Sequence, residues 1–286
     1  MAIKVKAGGK KVFRIFWVLI IYPLYMIRLA IFTADDYTWA FPAWKRTVSQ
    51  LCKRFEVVGL YVFPDQLGKL KGAGITFWYW RVFGFWNFFI FGLYAIKTRF
   101  KQFCFGAITW RQLADKHGLT LHTASTPNDP AVAQWIKDNK IDVVIITVGQ
   151  VLKKEIINAP RLGIINKHAA MLPSCRGLFP FFWAHAHNQP IGVTFHQVEE
   201  KIDSGKVLVQ KEYARNQSML RFYMQVFHDF PALATLAVER LVSDNYQKPR
   251  PDISASYYGL PTRADVKKNN CSIVKWSDLF YEVRRD

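Results

Sequence analysis

This chain predicts an α/β protein built on a doubly wound, mostly parallel sheet, and three observations carry the prediction. Short apolar runs alternate with amphipathic stretches along much of its length. Two of the runs, 28–34 (RLAIFTA) and 141–148 (IDVVIITV), are apolar nearly throughout, as strands covered on both faces are. Polar residues follow each run directly: Asp35 and Asp36 after the first, Gly149 and Gln150 after the second. A parallel sheet presents its ligands at that carboxyl edge.

Taken in order, the chain opens with an uncharged run of thirteen residues (15–27) behind Lys4, Lys6, Lys10, Lys11 and Arg14. This looks like a signal peptide, but the run is shorter than the ~20 residues that span a bilayer. No small-residue cleavage site follows it, and a cut near Ala34 would destroy the first strand. A start at Met26 is the simpler expectation, with residues 1–25 an extension that is either a basic membrane-binding leader or an upstream start that the cell does not use. Residues 43–54 read as an amphipathic helix and 56–63 as a second strand stopped by Pro64 and Asp65. After an aromatic insert (72–110), a helix is expected at 111–117, a short strand at 120–122 and a helix at 130–139. The strand at 141–148 follows, then a short helix ending near Pro160, and a strand at 163–165. Strand–helix alternation of this kind gives right-handed crossovers and a parallel sheet. Past Gln210, residues 216–243 form a helix with an apolar stripe of Leu220, Tyr223, Met224 and Phe227, followed by a polar linker (244–253) and a tail. The expected organisation is an extension (1–25), a catalytic domain (26–215) and a C-terminal helix and tail (216–286).

The insert is the second segment that raises the question of a membrane. Its longest uncharged run, Val82 to Ile96, would be about 22 Å long as a helix, against a hydrocarbon core of about 30 Å. Flanking Arg81, Lys97, Arg99 and Lys101 and abundant Trp and Phe suit a helix lying in the interface of an anionic membrane. Packing against the domain itself, or against a partner, is the alternative.

Composition narrows the classes further. The 39 Lys and Arg against 21 Asp and Glu leave a net charge of +18, which favours nucleic acid, anionic lipid or polyanionic metabolites. Cys52, Cys104, Cys175 and Cys271 are far apart and lack metal-ligand spacing, so a disulfide framework and a zinc site are not expected; a reducing, cytoplasmic setting fits, peripheral on the inner face of a membrane if the insert binds one. His185, His187 and His196 do not make a metal site either, because residues two apart on a helix do not face each other. No P-loop and no GxGxxG pattern is present.

The most informative stretch is 163–210. Asn166 and His168 close an apolar strand; Leu172, Pro173, Arg176 and Gly177 form an LPxxRG turn; Pro180 and Trp183 follow; then come Gly192, Val193, Thr194 and His196, and finally Asp203, Ser204 and Gly205. Each is ordinary alone: an Asn or His after a strand is usually a turn or core residue, and an Asp before Ser-Gly usually a turn former. In this order and spacing they closely resemble the active-site segment of the formyltransferase family that uses 10-formyltetrahydrofolate. That family includes methionyl-tRNA formyltransferase, glycinamide ribonucleotide formyltransferase and the amino-sugar formyltransferases. The resemblance is strongest over 140–210 and runs from Met26 onward. It implies a Rossmann-like catalytic domain of the formyltransferase type, no resident metal, and a folate co-substrate.

By that resemblance Asn166, His168 and Asp203 are the catalytic residues. Ala170, Met171, Leu172 and Pro173, together with Glu199, Glu200, Lys201 and Ile202, are walls of the folate site, with Val148, Gly149, Gln150 and Val151 beside the pterin. Arg176, Gly177, Trp183 and Thr194 fall on the acceptor side. The chemistry suits these types. Direct transfer of a formyl group to an amine passes through a tetrahedral oxyanion. Asn166 offers a neutral donor, a contact worth about 10²–10³ in rate in an oxyanion hole. A histidine near its ordinary pKa of about 6.5 moves protons either way at neutral pH, and Asp203 would orient and charge-stabilise it. The chain departs from the family pattern at Ala170, where a Ser is usual, and in the greasy Leu178, Phe179, Phe181, Phe182 and Trp183.

The acceptor is expected to be an amino sugar, nucleotide- or lipid-linked. Methionyl-tRNA is the alternative, favoured by charge and opposed by a C-terminal segment that begins with a helix rather than a β-barrel. A non-catalytic, membrane-associated binding protein on the same fold is the third reading.

Overall fold

A computed structural model describes residues 26–104, 106, 109–248, 250–269 and 271–283; the basic extension expected over 1–25 lies outside the described residues. In chain order the elements are β1 (Arg28–Ala34), α1 (Ala40–Leu51), β2 (Glu56–Phe63), a hairpin of β3 (Gln66–Leu67) and β4 (Leu70–Lys71), and the long helix α2 (Ala73–Cys104). Next come α3 (Trp110–His117), β5 (Thr120–Thr123), α4 (Pro130–Asp138), β6 (Val143–Thr147), α5 (Lys154–Ile157) and β7 (Gly163–His168). The remainder holds β8 (Arg176–Gly177), α6 (Pro180–Ala186), β9 (Gly192–Gln197), β10 (Val207–Glu212), α7 (Met219–Val242), β11 (Tyr257–Tyr258), α8 (Arg263–Lys268) and a 3-10 turn at Trp276–Phe280.

Seven strands form one sheet in the order β10-β9-β7-β6-β1-β2-β5. The five from β7 to β5 are parallel, and β9 and β10 extend the sheet antiparallel at one edge. Both faces are covered, which is why the central strands read as continuous apolar runs. Along β1, Leu29 and Ile31 face one core with α1, α3, α6 and α7, while Ala30 and Phe32 face the other with α4 and α5. In β6, Val143 and Ile145 take the first side and Val144 and Ile146 the second. The period of two in a strand produces this division.

Two side chains fix helix α1. Asp36, just past β1, accepts hydrogen bonds from the backbone N–H groups of Thr38, Trp39 and Ala40 at the helix start. Its burial pushes the carboxyl pKa up, while those bonds pull it back. The fully buried Trp44 packs edge-on against Phe230 of α7 at 4.9 Å and donates from Nε1 to Thr147 Oγ1 of β6 at 2.8 Å.

The C-terminal segment shares this core. Met219, Phe222, Val226, Phe230 and Val238 of α7 are buried on the sheet, and Ile273 joins them. The expected linker and tail are also tied in: β11 pairs with β8 in parallel, Tyr257 against Arg176 and Tyr258 against Gly177. Helix α2 bends at Gly84 (φ 80°, ψ 172°) into two arms rather than one rod. Among the described residues no helix is long and apolar enough to cross a membrane.

Candidate active site

The carboxyl edge of the sheet gathers the polar residues that the sequence singled out. Asn166 and His168 occupy alternate positions on β7, so both side chains leave the sheet on the same face. The antiparallel neighbour β9 sets Asn166 opposite His196 and His168 opposite Thr194. Asp203 comes from the β9–β10 loop, where its own backbone is left-handed (φ 49°). Asp tolerates that region better than most residues, so the KIDSG turn both turns the chain and aims the carboxylate inward.

Asp203 is the hub. Its Oδ2 lies 3.4 Å from His168 Nδ1 and accepts the Gly177 N–H at 2.9 Å. Its Oδ1 lies 3.4 Å from both His196 Nε2 and Asn166 Nδ2. Burial alone would raise this carboxyl; the two histidines and the Gly177 N–H outweigh it and hold the pKa at about 2. Asp203 is therefore a carboxylate throughout the neutral range.

The two histidines are oriented from behind. His168 Nε2 sits 2.8 Å from the Cys175 carbonyl and His196 Nδ1 2.9 Å from the Gln197 carbonyl. A carbonyl only accepts, so each of these nitrogens carries a proton, and each ring turns its other nitrogen toward Asp203. His168 is almost wholly buried, and burial pushes its pKa below the ordinary histidine value, with Asp203 opposing. A neutral imidazole with a bare Nδ1 beside a carboxylate is set to take up a proton there. Asn166 Nδ2 makes only long contacts, 3.3 Å to His196 Nε2 and 3.4 Å to Asp203, so its amide is weakly held and keeps donor capacity.

A cleft of about 690 Å³ opens on this group. Asn166, His168, Gly177, His196 and Asp203 line it, together with Val148, Gly149, Gln150 and Val151 of the loop after β6 and Glu199, Glu200 and Ile202 of the loop after β9. Gly149 is required by space: a Cβ there would stand 1.8 Å from the Gln66 carbonyl oxygen. Lys69 and Lys71 add two cations from the β3–β4 hairpin.

Several sequence-selected residues lie elsewhere. Ala170, Met171 and Leu172 are buried and, like Pro173, do not line the cleft; Lys201 is also absent from its lining. Thr194 is wholly buried and its hydroxyl is used up, donating to the Ala170 carbonyl at 2.7 Å and accepting from Leu172 N and Gln210 Nε2. Arg176 pairs with the tail through β8 and β11, and Trp183 stacks on Tyr258 at 4.8 Å and donates to the Gly259 carbonyl. Both hold the segment that presents the Gly177 N–H, and neither faces the cleft. Gly177 itself, at φ 95°, leaves no room for a Cβ against the Tyr258 carbonyl.

His196, the β3–β4 cations and Tyr257 of the tail also stand in the cleft wall, a place that the sequence did not reveal. For His196 the signal existed in the GVTxH run, but only the antiparallel register with β7 puts it across from Asn166. The hairpin strands are two residues each, too short for any periodicity to register.

Residues 107–217 match the family model described as formyl transferase. Curated relatives include the methionyl-tRNA formyltransferase of Thermodesulfovibrio yellowstonii, 40% identical over 108 residues (37% of this chain, 35% of that one). That of Ehrlichia ruminantium (strain Gardel) is 34% identical over 102 residues, 35% of this chain and 34% of that one. The chain thus spans about a third of the length of the curated relatives it matches. Similar solved structures include a sugar N-formyltransferase from a Shewanella species, with TM-score 0.51, 19% identity, and 89% and 85% of the two chains covered. A glycinamide ribonucleotide transformylase from Symbiobacterium toebii gives TM-score 0.51 at 14% identity, with 77% and 89% covered. The likeness to these structures is one of fold, a mostly parallel sheet with flanking helices. The residues matched by the formyl transferase model, 107–217, are the ones that contain the cleft's Asn166, His168, His196 and Asp203.

Proposed function

We propose that the protein transfers a formyl group from 10-formyltetrahydrofolate to a primary amine, and that the amine belongs to an amino sugar. The observation that carries the reading is the convergence of Asn166, His168 and Asp203 at one end of a cleft in the matched segment. The donor fits the residues present. About 690 Å³ is within the range of ordinary ligand pockets, Ile146, Leu152 and Ile202 offer apolar walls, and Lys69 and Lys71 suit an anionic portion. When bound, the donor supplies an activated one-carbon unit at the formyl oxidation level.

Asp203, ionised and joined to His168, favours a cationic amine entering the site. The ammonium first gives one proton to solvent and becomes a neutral nucleophile; His168 Nδ1 then takes the second proton as the new C–N bond forms, and Asp203 stabilises the imidazolium. The same nitrogen returns the proton to the departing donor nitrogen, so protons balance without a covalent enzyme intermediate. Asn166 donates a hydrogen bond where negative charge gathers on the formyl oxygen. Cys175 takes no part: it is buried and its pKa is pushed up to about 11.

The sugar acceptor is supported by a C-terminal segment folded onto the catalytic core, with Tyr257 reaching the cleft wall. Methionyl-tRNA stays as the second reading because the curated relatives named above carry that name. Incubation with 10-formyltetrahydrofolate and a panel of amino sugars and Met-tRNA, followed by folate release and product mass, tests both. A formamide on an amino sugar is the expected product. Formylated Met-tRNA alone would shift the reading to the second acceptor, and release of folate with no formylated product would remove the transferase reading.

A further inference from the structure

The second arm of α2 turns an apolar side outward. From Phe85 the exposed large residues are Phe85, Trp86, Phe89, Ile96, Phe100 and Phe103; all but Trp86 keep the spacing of a single stripe on a helix, and Trp86 flanks it. Trp86 is 66% exposed and Phe103 73%. The opposite side is anchored: Ile90 is buried, Tyr94 packs against Trp39 at 5.2 Å, and Gln102 donates to the Tyr37 carbonyl. An ordinary surface helix is apolar on its buried side alone, whereas this arm is apolar on both.

The stripe is extended by a part of the chain distant in sequence. The 3-10 turn sets Trp276 (52% exposed) against Phe89 at 6.2 Å and leaves Phe280 82% exposed. Lys97 bonds the Leu279 carbonyl and Lys101 pairs with Glu282, so the turn is tied to the helix by polar contacts while the rings point to solvent. From Phe85 to Phe103 the arm runs for roughly 27 Å at 1.5 Å per residue.

We infer that this composite face, the second α2 arm with the 3-10 turn, is a docking surface for an anionic lipid bilayer, on which the protein lies without spanning it. Charge complementarity selects that occupant: the chain carries a net charge of +18, Arg81 just before the Gly84 bend and Lys275 next to Trp276 are exposed, and Lys101 meets Glu282 where both are solvent-accessible. An exposed pair of that kind is weak and can exchange its partner for a lipid headgroup. Lys97 and Arg99 serve the fold instead, Arg99 lying 4.3 Å over the Tyr37 ring, so apolar burial carries more of the contact than the four flanking cations in the sequence implied. The first arm packs Trp78, Tyr79 and Phe83 on Phe179, two residues from the Gly177 N–H that holds Asp203. Docking face and cleft therefore belong to one packed body. The surface stands independently of the transferase reading, since lipid binding is measured without catalysis.

The full chain is sedimented with phosphatidylcholine vesicles and with vesicles that also contain phosphatidylglycerol. It pellets with the second kind, and the triple substitution Phe85→Ser, Phe89→Ser, Phe100→Ser lowers the partition coefficient at least tenfold. Quenching of tryptophan fluorescence by brominated anionic lipid gives a readout on the unaltered protein; quenching is expected, and it weakens in Trp86→Phe. Wild-type protein left in the supernatant with both vesicles, absence of quenching, or unchanged binding of the triple variant would each overturn the inference. So would a wild-type dimer that the triple substitution converts to a monomer, which would assign the face to a second copy of the chain.

Discussion

The β7–β9 edge and the second arm of α2 are built on opposite principles. At the edge, polar side chains are buried and held by polar partners: Asp203 by a backbone N–H and, at longer range, an amide, with two histidine nitrogens turned toward it, and each histidine by a carbonyl. Along the arm, large apolar rings face solvent and the polar atoms point back to the body. Buried polar networks hold one geometry because each unmet partner costs about 1–3 kcal/mol. An exposed apolar row has no such internal constraint, and its shape answers to something outside the molecule. The two regions should therefore respond to substitution in contrary ways.

The largest effect is expected at the hub. Asp203→Asn keeps the size of the side chain but removes the charge that meets a protonated His168, and turnover should fall at least a hundredfold, as measured by formamide production under saturating donor. Near-wild-type turnover would mean that the carboxylate is wrongly assigned.

Next comes the cleft wall. Gly149→Val puts a side chain where even a Cβ meets the Gln66 carbonyl oxygen, so the loop after β6 or the β3–β4 hairpin must move. Overpacking of this kind costs about 1–3 kcal/mol, and donor affinity, read by calorimetry, should drop about tenfold in step. The matching change on the arm has the opposite sign. A Cβ added at Gly92 in α2 would meet nothing within 4 Å, so Gly92→Ala should stabilise the protein by about 0.5–1 kcal/mol in denaturant unfolding.

A pH profile separates the regions more finely. Burial holds His168 below the ordinary histidine pKa, so the protonated form is disfavoured in the folded protein. Its contribution to stability is present above about 6.5 and is lost as pH falls through the depressed folded value. Activity should follow: kcat/KM stays level down to about pH 6.5 and its acid limb lies below that value. Because Asp203 pulls the His168 pKa up, the residual activity of Asp203→Asn should lose its acid limb to still lower pH. An acid limb above pH 7 in the wild type would contradict a neutral, buried His168.

The same contrast explains what can be read from the chain. Doubly covered strands such as 28–34 and 141–148 announce themselves because both of their faces are buried, and the spacing from Asn166 to Asp203 is carried within one short stretch. His196 and Tyr257 escape a reading of the sequence because their places depend on pairing between distant segments, β9 with β7 and β11 with β8. Ala170, Met171 and Leu172 lie next to β7 in sequence yet do not line the cleft, because the Ala170 and Leu172 backbone is bonded to Thr194 and Gln210. The aromatic character of 75–105 is plain in the sequence, but the kink at Gly84 and the addition of Trp276 and Phe280 to its outer face are not, since neither follows from local periodicity.

The most direct measurement is turnover and donor affinity side by side in Asn166→Ala and His168→Ala. Both residues act chiefly on charge and protons that appear during reaction, so each variant should lose at least a hundredfold in turnover while its Kd for 5-formyltetrahydrofolate stays within about threefold of wild type. Turnover close to wild type in either variant, or a folded wild-type protein with no measurable affinity for the folate, would contradict the assignment of this edge as a formyl-transfer site.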